Sequence, residues 1–544
     1  MKEVLIIGSG IAGMTCAIEC AKEGVHCTLV SPFPSERSQS VMAAGGINGV
    51  TADCEEGDSV NSHIEDTLKG GAYIAGRNAV TGLCEGAGEI IDYLESIGTV
   101  FSVDGEGRPM RRAFGGQSHK RTYFCGSATG KLIVSSLVME ARRFEAAGLI
   151  TRKLRGCFHS ALIKDGKCCG ALIFDEATWN LEAFYADALV IATGGQNSLF
   201  GKTTGSTQCD GYAAGMLFLQ GAELKNLEFI QYHPTTIETD QKRMLISEAV
   251  RGEGGRLFYE EDGKRVYFME DKYGPKGNLM TRDVISREMY LTGRDIYLDI
   301  SFLDEKTIKE RLPEVAELCM KYRGIDITKE PIPVAPSVHF FMGGLAVHLN
   351  HETNIKNLFA IGECASIYHG ANRLGGNSLL AALYGGKTAA KEICGRESEA
   401  ERPDFKEYIE AARAELQNIF ESQSRFPSGY LTDMVSDTIK KSLGIVRNEE
   451  DLKKGIEDID YYISISDALR YDSSVLPYFN YKVRGILALA KACLSCALAR
   501  QESRGSHVRS DYPDTDDSMR CASIISYDNG NYTVRCDKEG SYES

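Results

Sequence analysis

The sequence of 544 residues has no apolar run long enough to cross a membrane. Its most helical apolar stretch, GILALAKACLSCALA at 485–499, is interrupted by Lys491, and a spanning helix needs about 20 apolar residues. This stretch is expected to form a core helix. The run VLII at 4–7 leads straight into glycines, which predicts a buried strand rather than a secretory signal. The cytoplasm is therefore the expected location.

Positive charge is also scarce in this chain. The 61 Lys and Arg residues face 76 Asp and Glu residues, which leaves a net charge of −15. A surface of that sign is not expected to bind nucleic acid or an anionic membrane. An anionic substrate would have to be bound by a local cluster of arginine and histidine, and the chain has only 10 histidines.

The 17 cysteines are scattered along the chain and show no iron–sulfur spacing. An odd, unclustered set does not predict a disulfide framework in so long a chain. Cys493 and Cys496 form a single CxxC, and one pair cannot complete a four-ligand metal site. We interpret them as two buried thiols and predict no metal. A protein of this kind that handles electrons needs another carrier.

A glycine-rich turn follows the first strand. Gly8, Gly10 and Gly13 form GxGxxG, in which the first makes the turn, the second admits a pyrophosphate and the third lets helix and strand pack. The helix that follows offers free N–H groups to phosphate. The second strand, HCTLVS at 26–31, ends in Ser31, where a nicotinamide-binding protein usually has an acidic residue. The segment thus predicts a dinucleotide site and leaves room for FAD.

Two later strands support this interpretation. ADALVIATGG at 186–195 ends in Thr193 and Gly194, and NLFAIGECA at 357–365 runs into Glu363. Both are expected to belong to the same sheet as the first strand although they are far apart in sequence. A doubly wound domain interrupted by an insertion has this layout.

Between those strands lies a dense set of polar signatures. Buried arginine needs partners, because an unpaired buried charge costs several kcal/mol. A ligand with two carboxylates would supply them through charge-assisted, often bidentate hydrogen bonds. The candidate residues are His233 in LEFIQYHPT, Ser247, Glu248 and Arg251 in LISEAVRGEGG, Arg282 in TRDVISREM, His339 in APSVHFFMGG, and Arg373 in HGANRLGGNSLL.

Seven segments between residues 37 and 513 resemble, in the same order, the flavoprotein subunit of succinate dehydrogenases and fumarate reductases. The resemblance covers nearly the whole chain, from residue 4 to about 530. The wider family includes L-aspartate oxidase. The segments are RSQSVMAAGG, FGGQS, QYHPT, SEAVRGEGG, TRDVISREM, HGANRLGGNSLL and RQESRGSHVRSDYP. The resemblance implies an α/β fold with a doubly wound, Rossmann-like FAD-binding domain, an inserted α+β capping domain and a C-terminal helical bundle.

The domain bounds expected from this resemblance divide the chain into four parts. They are an FAD-binding domain at 1–234 and 345–396, a capping, substrate-binding domain at 235–344, a helical domain at 405–500 and a polar C-terminal tail at 501–544. The charged stretch at 395–405 is expected to be a linker. A hairpin with its turn at Asn529-Gly530 is predicted within the tail.

The resemblance also implies which residues hold FAD. In the membrane-complex members, a histidine in the first of the seven segments is bonded covalently to the flavin, and Gln39 stands at its place here. Glutamine has no nucleophilic nitrogen, so we expect FAD to be bound non-covalently. We expect such a flavin to favour fumarate reduction over succinate oxidation. The expected cofactor contacts are Gly8, Gly10, Gly13, Ser31, Ser38, Gln39, Ser40, Ala44, Gly45, Gly46, Thr193, Gly194, Asp210, Glu363, Ser378 and Leu379.

The substrate pocket implied by the resemblance binds a C4 dicarboxylate by both ends. His339 and Arg373 match the residues that bind one carboxylate, and His233 and Ser247 those that bind the other. The proton donor matches Arg282, and its relay to solvent matches Glu248 and Arg251. Hydride passes between flavin N5 and the substrate in this family.

Several alternatives stay open at this point. Aspartate oxidases carry a glutamate where this chain has Phe114, which favours a substrate without an amino group, although LISEAVRGEGG is also typical of those oxidases. Two other hypotheses are that the protein reduces another unsaturated acid, or that it is an electron-transfer subunit without turnover. A separate partner such as an iron–sulfur subunit is expected to deliver electrons, as in anaerobic respiration, and would provide any membrane attachment. Departures from the family pattern stand at Pro32, Ser127 and Ala381.

Overall fold

A five-stranded, all-parallel sheet forms the centre of the computed structural model, which describes residues 2–240, 242–398, 403–421, 426–466, 469–470 and 478–543. Within it, Ile6 lies between Leu29 and Val190 in register. The three strands on one side of the sheet are apolar and almost wholly buried on both faces, as parallel strands covered by helices are. The edge strand on the other side is more polar and partly exposed. Their order confirms the predicted doubly wound sheet: Leu358–Ala360, Ala188–Ile191, Glu3–Ile7, His26–Ser31, Ile150–Leu154.

Helices cover this sheet and bring distant segments to its carboxyl edge. The helix that follows the glycine turn, Ile11–Lys22, packs along Asn377–Gly395, so that residues 8–13 and 376–379 meet at one place. The remaining helices of this part are Val60–Gly70, Arg77–Glu85, Ala87–Ser96, Thr129–Ala146 and Tyr212–Leu219.

Two small antiparallel sheets complete this part of the chain. One is a meander, and the other lies beside the RSQSVMAAGG segment. Their strands are Gly156–Lys164, Lys167–Asp175 and Asn180–Tyr185 in the first, and Ile47–Asn48, Thr122–Tyr123 and Arg111–Arg112 in the second.

A second apolar core lies between residues 237 and 334. It is built on a six-stranded sheet whose long strand Ile230–Glu238 runs through the predicted boundary at 234. The predicted domain bounds stay a prediction. The strands in order are Arg243–Leu245, Ile230–Glu238, Ile332–Phe341, Ile296–Asp299, Arg256–Glu261 and Lys264–Val266, and the helices are Ala249–Gly252, Phe268–Tyr273, Arg282–Thr292, Glu305–Arg311 and Pro313–Arg323.

Helices follow the second core, as the periodicity of 405–500 predicts. The apolar stretch at 485–499 lies inside the last of them, where Cys493 and Cys496 are fully buried, which confirms the interpretation as core helix and buried thiols. Residues 399–402 of the expected linker lie outside the described residues. The helices are Lys406–Glu421, Ser428–Ser442, Glu449–Ser466 and Tyr478–Ala499.

The polar tail is integrated into the fold. Its hairpin, Ala522–Asp528 with Asn531–Asp537, turns at Asn529 and Gly530 as predicted and pairs with the strand Leu224–Lys225. A disulfide joins Cys521 and Cys536 across the hairpin, and the other cysteines are free. No helix in the described ranges has the length and apolar character that a bilayer crossing requires.

Buried charge anchors the start of the tail. Arg500 is 1 % exposed and donates to the Glu228 and Glu502 carboxylates at 2.6 and 2.9 Å. Arg504 pairs with the other side of Glu502 at 2.9 Å. Because each buried charge has an opposite partner, the RQESRGSHVRSDYP segment is held inside the protein although its composition is polar.

Candidate active site

One cleft, of about 300 Å³, gathers nearly all of the residues predicted for cofactor and substrate. It runs from the carboxyl edge of the parallel sheet to the contact with the second core, which is where open α/β folds bind ligands. Of the predicted residues, Gly13 and Arg251 do not line it. Those that do are Gly8, Gly10, Ser31, Ser38, Gln39, Ser40, Ala44, Gly45, Gly46, Phe114, Thr193, Gly194, Asp210, His233, Ser247, Glu248, Arg282, His339, Glu363, Arg373, Ser378 and Leu379.

The glycine turn has the geometry of a phosphate site. Gly8 has φ +110°, and a Cβ there would lie 2.2 Å from the Ala192 carbonyl oxygen. A Cβ at Gly13 would lie 2.0 Å from the Gly8 carbonyl oxygen, so Gly13 serves the packing of helix on turn rather than the cleft. The N–H of Ile11, at the helix N-terminus, donates to Ser40 Oγ at 3.2 Å. These groups are suited to bind a pyrophosphate.

Polar groups without partners mark the path of a cofactor along the cleft. Ser38 Oγ and Gln39 Oε1 are buried and lack a hydrogen-bond partner in the part of the chain that the structure describes. Such a state is rare unless a ligand or water supplies the partner. Burial raises the pKa of Glu363 to about 7, against the Phe341 N–H and Arg373. A carboxyl that keeps its proton near neutral pH can exchange hydrogen bonds with a sugar hydroxyl. The donor set therefore fits FAD.

An ion pair organises the inner end of the cleft. Glu248 Oε2 accepts hydrogen bonds from Arg282 Nε at 3.0 Å and Nη2 at 2.9 Å. The Gly115 N–H donates to Oε1 at 3.0 Å, and Arg251 Nη2 lies 3.5 Å from the same oxygen. Burial would raise the pKa of Glu248, but Arg282 and Arg251 outweigh it and hold the pKa at about 2. Glu248 is thus ionised at neutral pH.

Arg373 is the second guanidinium of the pocket. Its Nη2 donates to Gln231 Oε1 at 3.0 Å, and the same oxygen accepts from Arg282 Nη1 at 3.1 Å. The guanidinium lies 4.3 Å from the centre of the Phe340 ring, and its Nε is buried with no hydrogen-bond partner in the described ranges. Burial and the charge of Arg282 lower the pKa of Arg373 well below its usual value. Two adjacent cations share one neutral oxygen here. Arg282 already pairs with Glu248, so Arg373 is the one that lacks an anionic partner among the described residues.

Two histidines complete the pocket. The rings of His233 and His339 lie edge to face with their centres 5.2 Å apart. His233 Nε2 is buried and has no hydrogen-bond partner among the described residues, while His339 Nδ1 contacts Thr204 Oγ1 at 2.8 Å. Burial, reinforced by nearby Arg282, lowers the pKa of both imidazoles well below 6.5. Each ring is therefore neutral at pH 7 and carries one N–H donor.

Phe114 and Ser247 are the two other residues predicted for the substrate pocket. Phe114 is 5 % exposed and packs between two glycines, since a Cβ on Gly45 would lie 3.3 Å from its ring and one on Gly375 2.9 Å. Ser247 Oγ accepts from the Ala249 N–H at 3.2 Å, so this hydroxyl also starts the short helix that carries Arg251.

Four side chains at the site were missed by sequence reasoning. The sequence did contain a signal for Gln231. Residues two apart on a strand share a face, and His233 was already a predicted site residue. The sequence contained no such signal for Thr204, Phe340 or Lys482, because each of these side chains reaches the cleft through tertiary packing.

Comparison with known proteins gives the cofactor. Residues 3–379 match the family model described as FAD binding domain, and residues 432–540 match the one described as fumarate reductase flavoprotein C-term. The first model alone covers more than half of the chain. The bound cofactor is therefore FAD, in agreement with the donor set of the cleft.

The relatives and solved structures give the enzyme type. The chain is 37% identical to the succinate dehydrogenase flavoprotein subunit of Bacillus subtilis, over 94% of this chain and 92% of that protein. It is 33% identical to the L-aspartate oxidase of Pyrococcus furiosus, over 97% and 99%. The structure superposes on the E. coli quinol fumarate reductase with a TM-score of 0.91 at 28% identity, over 98% and 97%. Fold, cleft and relatives agree, and the chain belongs to the FAD-dependent oxidoreductases of the succinate dehydrogenase and fumarate reductase flavoprotein family.

Proposed function

We propose that this protein reduces fumarate to succinate, with both carboxylates bound by the cationic inner end of the cleft. The convergence of Arg282, Arg373, His233 and His339 on one wall supports this, because all four carry N–H donors and two of the four have buried nitrogens without partners. A dianion of four carbons supplies two acceptor groups at opposite ends. Charge-assisted hydrogen bonds to such a ligand are about twice as strong as neutral ones.

When bound and reduced, FAD would supply the hydride that one alkene carbon receives. The protein must then stabilise negative charge on the far carboxylate, for which fixed donors in a buried site are worth about 3–4 kcal/mol each. Arg373 is held in place before substrate arrives by Gln231 and Phe340. His339 is held by Thr204, and His233 Nδ1 accepts from the Thr235 N–H at 3.3 Å. No reorganisation of these donors is needed at the moment of reaction.

A proton must also reach the other alkene carbon. Arg282 is the donor in this proposal, since it lines the cleft and its other face is bound by Glu248. Glu248 is ionised and also lies beside Arg251, which is fully buried behind the cleft. The three side chains form a continuous path along which Arg282 can regain its proton. Arginine is a weak acid, so this role requires a more basic carbanion in the substrate.

The direction of the proposed reaction rests on Gln39. This side chain lines the cleft, and its amide has no ring nitrogen that could bond to the flavin. We propose that FAD is held without a covalent link, and that its lower potential favours electron donation to fumarate. Electrons would come from a separate carrier, such as an iron–sulfur subunit. This flavoprotein would work in the cytoplasm and would reach a membrane only through such a partner.

L-aspartate oxidation is the second candidate, because the aspartate oxidase relative matches 97% of the chain. An aspartate substrate brings an ammonium group, which needs a free carboxylate or similar acceptor. The three acidic residues that line the cleft all have partners: Asp210 binds Lys482, Glu248 binds Arg282, and Glu363 accepts from the Phe341 N–H. Phe114 offers no charge. Because each of these acidic side chains already has a partner, the cleft favours a substrate without an amino group.

Two anaerobic assays on the purified holoenzyme test the proposal. In the first, reduced methyl viologen is the donor and fumarate the acceptor, and we expect viologen oxidation that depends on fumarate. In the second, L-aspartate is added to the oxidised enzyme, and we expect the flavin to stay oxidised. Bleaching of the flavin by L-aspartate would establish the second candidate. Viologen oxidation by another unsaturated acid but not by fumarate would assign a different substrate.

A further inference from the structure

A lysine from the C-terminal helices reaches into the cofactor cleft. Lys482 lies on the helix Tyr478–Ala499, and its Nζ donates to Asp210 Oδ2 at 3.0 Å. About one fifth of each side chain stays accessible, 21% for Lys482 and 20% for Asp210, and both residues line the cleft. The ammonium therefore borders the space that the cofactor occupies.

Close backbone contact fixes this position. The helix Tyr478–Ala499 crosses the helix Tyr212–Leu219 where two glycines meet. A Cβ on Gly215 would lie 1.9 Å from the Gly485 carbonyl oxygen, and one on Gly485 would lie 2.7 Å from the Tyr212 carbonyl oxygen. Because neither glycine can carry a side chain, the two helices approach closely. Lys482, one turn before Gly485, is thereby brought to Asp210, which lies two residues before Tyr212.

The surroundings of Lys482 identify which half of FAD it borders. In this type of fold the second strand ends at the adenosine ribose, and here that strand ends at Ser31. The segment from Gly156 lies against the same end, since a Cβ on Gly156 would be 2.5 Å from Val30 Cγ1. The ring of His159 in this segment stacks on the ring of Tyr481, the neighbour of Lys482, with their centres 4.0 Å apart. Lys482 thus lies at the end of the cleft where the adenosine half of FAD is expected.

The usual ribose ligand is missing at this end. Ser31 stands where an acidic residue is common, and its hydroxyl donates to the Phe33 carbonyl oxygen at 2.5 Å, so it is used within its own loop. Burial disfavours the charge of Lys482, but Asp210 raises its pKa above the ordinary value. An ammonium has three N–H donors, of which Asp210 accepts one among the contacts of the described residues.

We propose that Lys482 is an FAD-binding residue, contributed by the C-terminal helices, that donates to an oxygen of the adenosine half of the cofactor. Asp210 orients it by accepting one of its N–H groups. Tight FAD binding then requires that the helix Tyr478–Ala499 be docked on Tyr212–Leu219. The proposal rests on FAD as the cofactor and holds for whichever acid is reduced.

The release of FAD from the holoenzyme tests this role. Flavin fluorescence rises when FAD leaves the protein, so the dissociation rate can be followed after dilution. We expect Lys482→Met to speed release roughly tenfold to a hundredfold, the equivalent of a charged hydrogen bond, and Lys482→Arg to stay within about threefold of the wild type because it keeps a charged donor. FMN lacks the adenosine, so reconstitution with FMN should give equal affinities for the wild type and Lys482→Met.

Lys491 is the matched control, since it lies on the same helix and forms an ion pair of its own, 2.6 Å from Asp460. Lys491→Met should release FAD at the wild-type rate. An unchanged rate in Lys482→Met would overturn the proposal, and so would an equal acceleration in Lys491→Met. Equal weakening of FMN and FAD by Lys482→Met would refute the placement at the adenosine half. Far-UV circular dichroism and the temperature of unfolding identify a variant that has failed to fold.

Discussion

Arg282 and Glu248 form a two-point ion pair at the inner end of the cleft, with Nε 3.0 Å and Nη2 2.9 Å from one carboxylate oxygen. Both side chains are at most 10% exposed. Both hydrogen bonds are charge-assisted and converge on the same oxygen, so they hold one edge of the guanidinium against the carboxylate. The remaining nitrogen, Nη1, is bound by Gln231. The proposed proton donor is therefore held in one orientation before a substrate binds.

Removal of Arg282 should abolish turnover and leave the cofactor in place. We expect Arg282→Ala to lower kcat for fumarate reduction by at least about a thousandfold, because donor and charge are lost together. The flavin content should match the wild type, since this side chain lies at the opposite end of the cleft from the glycine turn. Steady-state kinetics with reduced viologen and the visible spectrum measure the two quantities.

The control for this change is Arg287→Ala. Arg287 lies on the same helix but is 37% exposed and contacts only Glu288 at 3.5 Å among the described ion pairs. Its removal should leave kcat within about twofold of the wild type, as for most exposed positions. Turnover by Arg282→Ala at a tenth of the wild-type rate or more would remove Arg282 from the proposed mechanism.

Glu248 should stabilise the fold in a pH-dependent way. Its pKa is lowered from 4.5 to about 2, which corresponds to about 3 kcal/mol. A lowered carboxyl pKa means that the contribution is complete above about pH 4.5 and is lost as the pH falls through 2. Urea unfolding should show Glu248→Gln to be less stable by a constant amount from pH 8 to 6. The difference should shrink below pH 4.5.

Glu317 provides the control for the Glu248 prediction, because it is an exposed glutamate of the same part of the chain. Glu317→Gln should change the free energy of unfolding by less than about 0.5 kcal/mol at every pH. A difference between wild type and Glu248→Gln that grows as the pH falls would contradict the ionised state inferred for Glu248.

The flavin should leave the protein when it is denatured. Gln39 offers no nucleophilic nitrogen at the place where some relatives bind the flavin covalently, so acid precipitation should transfer all yellow colour to the supernatant. The washed pellet, dissolved in a denaturing gel, should show no flavin fluorescence. Fluorescence that stays with the protein band would refute the non-covalent assignment.

The glycine turn should tolerate no side chain at Gly13. A Cβ there would lie 2.0 Å from the Gly8 carbonyl oxygen, so Gly13→Ala must push the helix away from the turn. We expect loss of bound FAD and a destabilisation of about 1–3 kcal/mol, typical of overpacking. Gly395→Ala is the control, since nothing lies within 4 Å of a Cβ there, and it should leave both quantities unchanged. Retention of FAD by Gly13→Ala would contradict the packing role.

Local patterns in the sequence were sufficient to predict much of the fold. The strands at 3–7 and 26–31, the helix that follows Gly10 and the hairpin at Asn529-Gly530 were all predicted correctly, because glycine conformation and apolar runs act between near neighbours. The core helix at 485–499 was predicted for the same reason. The integration of the polar tail was not, since the burial of Arg500 depends on Glu228, a residue 272 positions away.

The sequence by itself determined the residue types of the proposed site, the glycine turn suited to bind phosphate and the glutamine where some relatives have a flavin-bound histidine. Only the tertiary structure decided that Gln231 shares one oxygen between Arg282 and Arg373, and that Lys482 borders the cofactor cleft. These contacts join side chains 51 to 272 residues apart. Sequence periodicity carries no information over such distances, because it indicates only on which face of its own helix or strand a residue lies. The packing of helices and sheets decides which residues that face contacts.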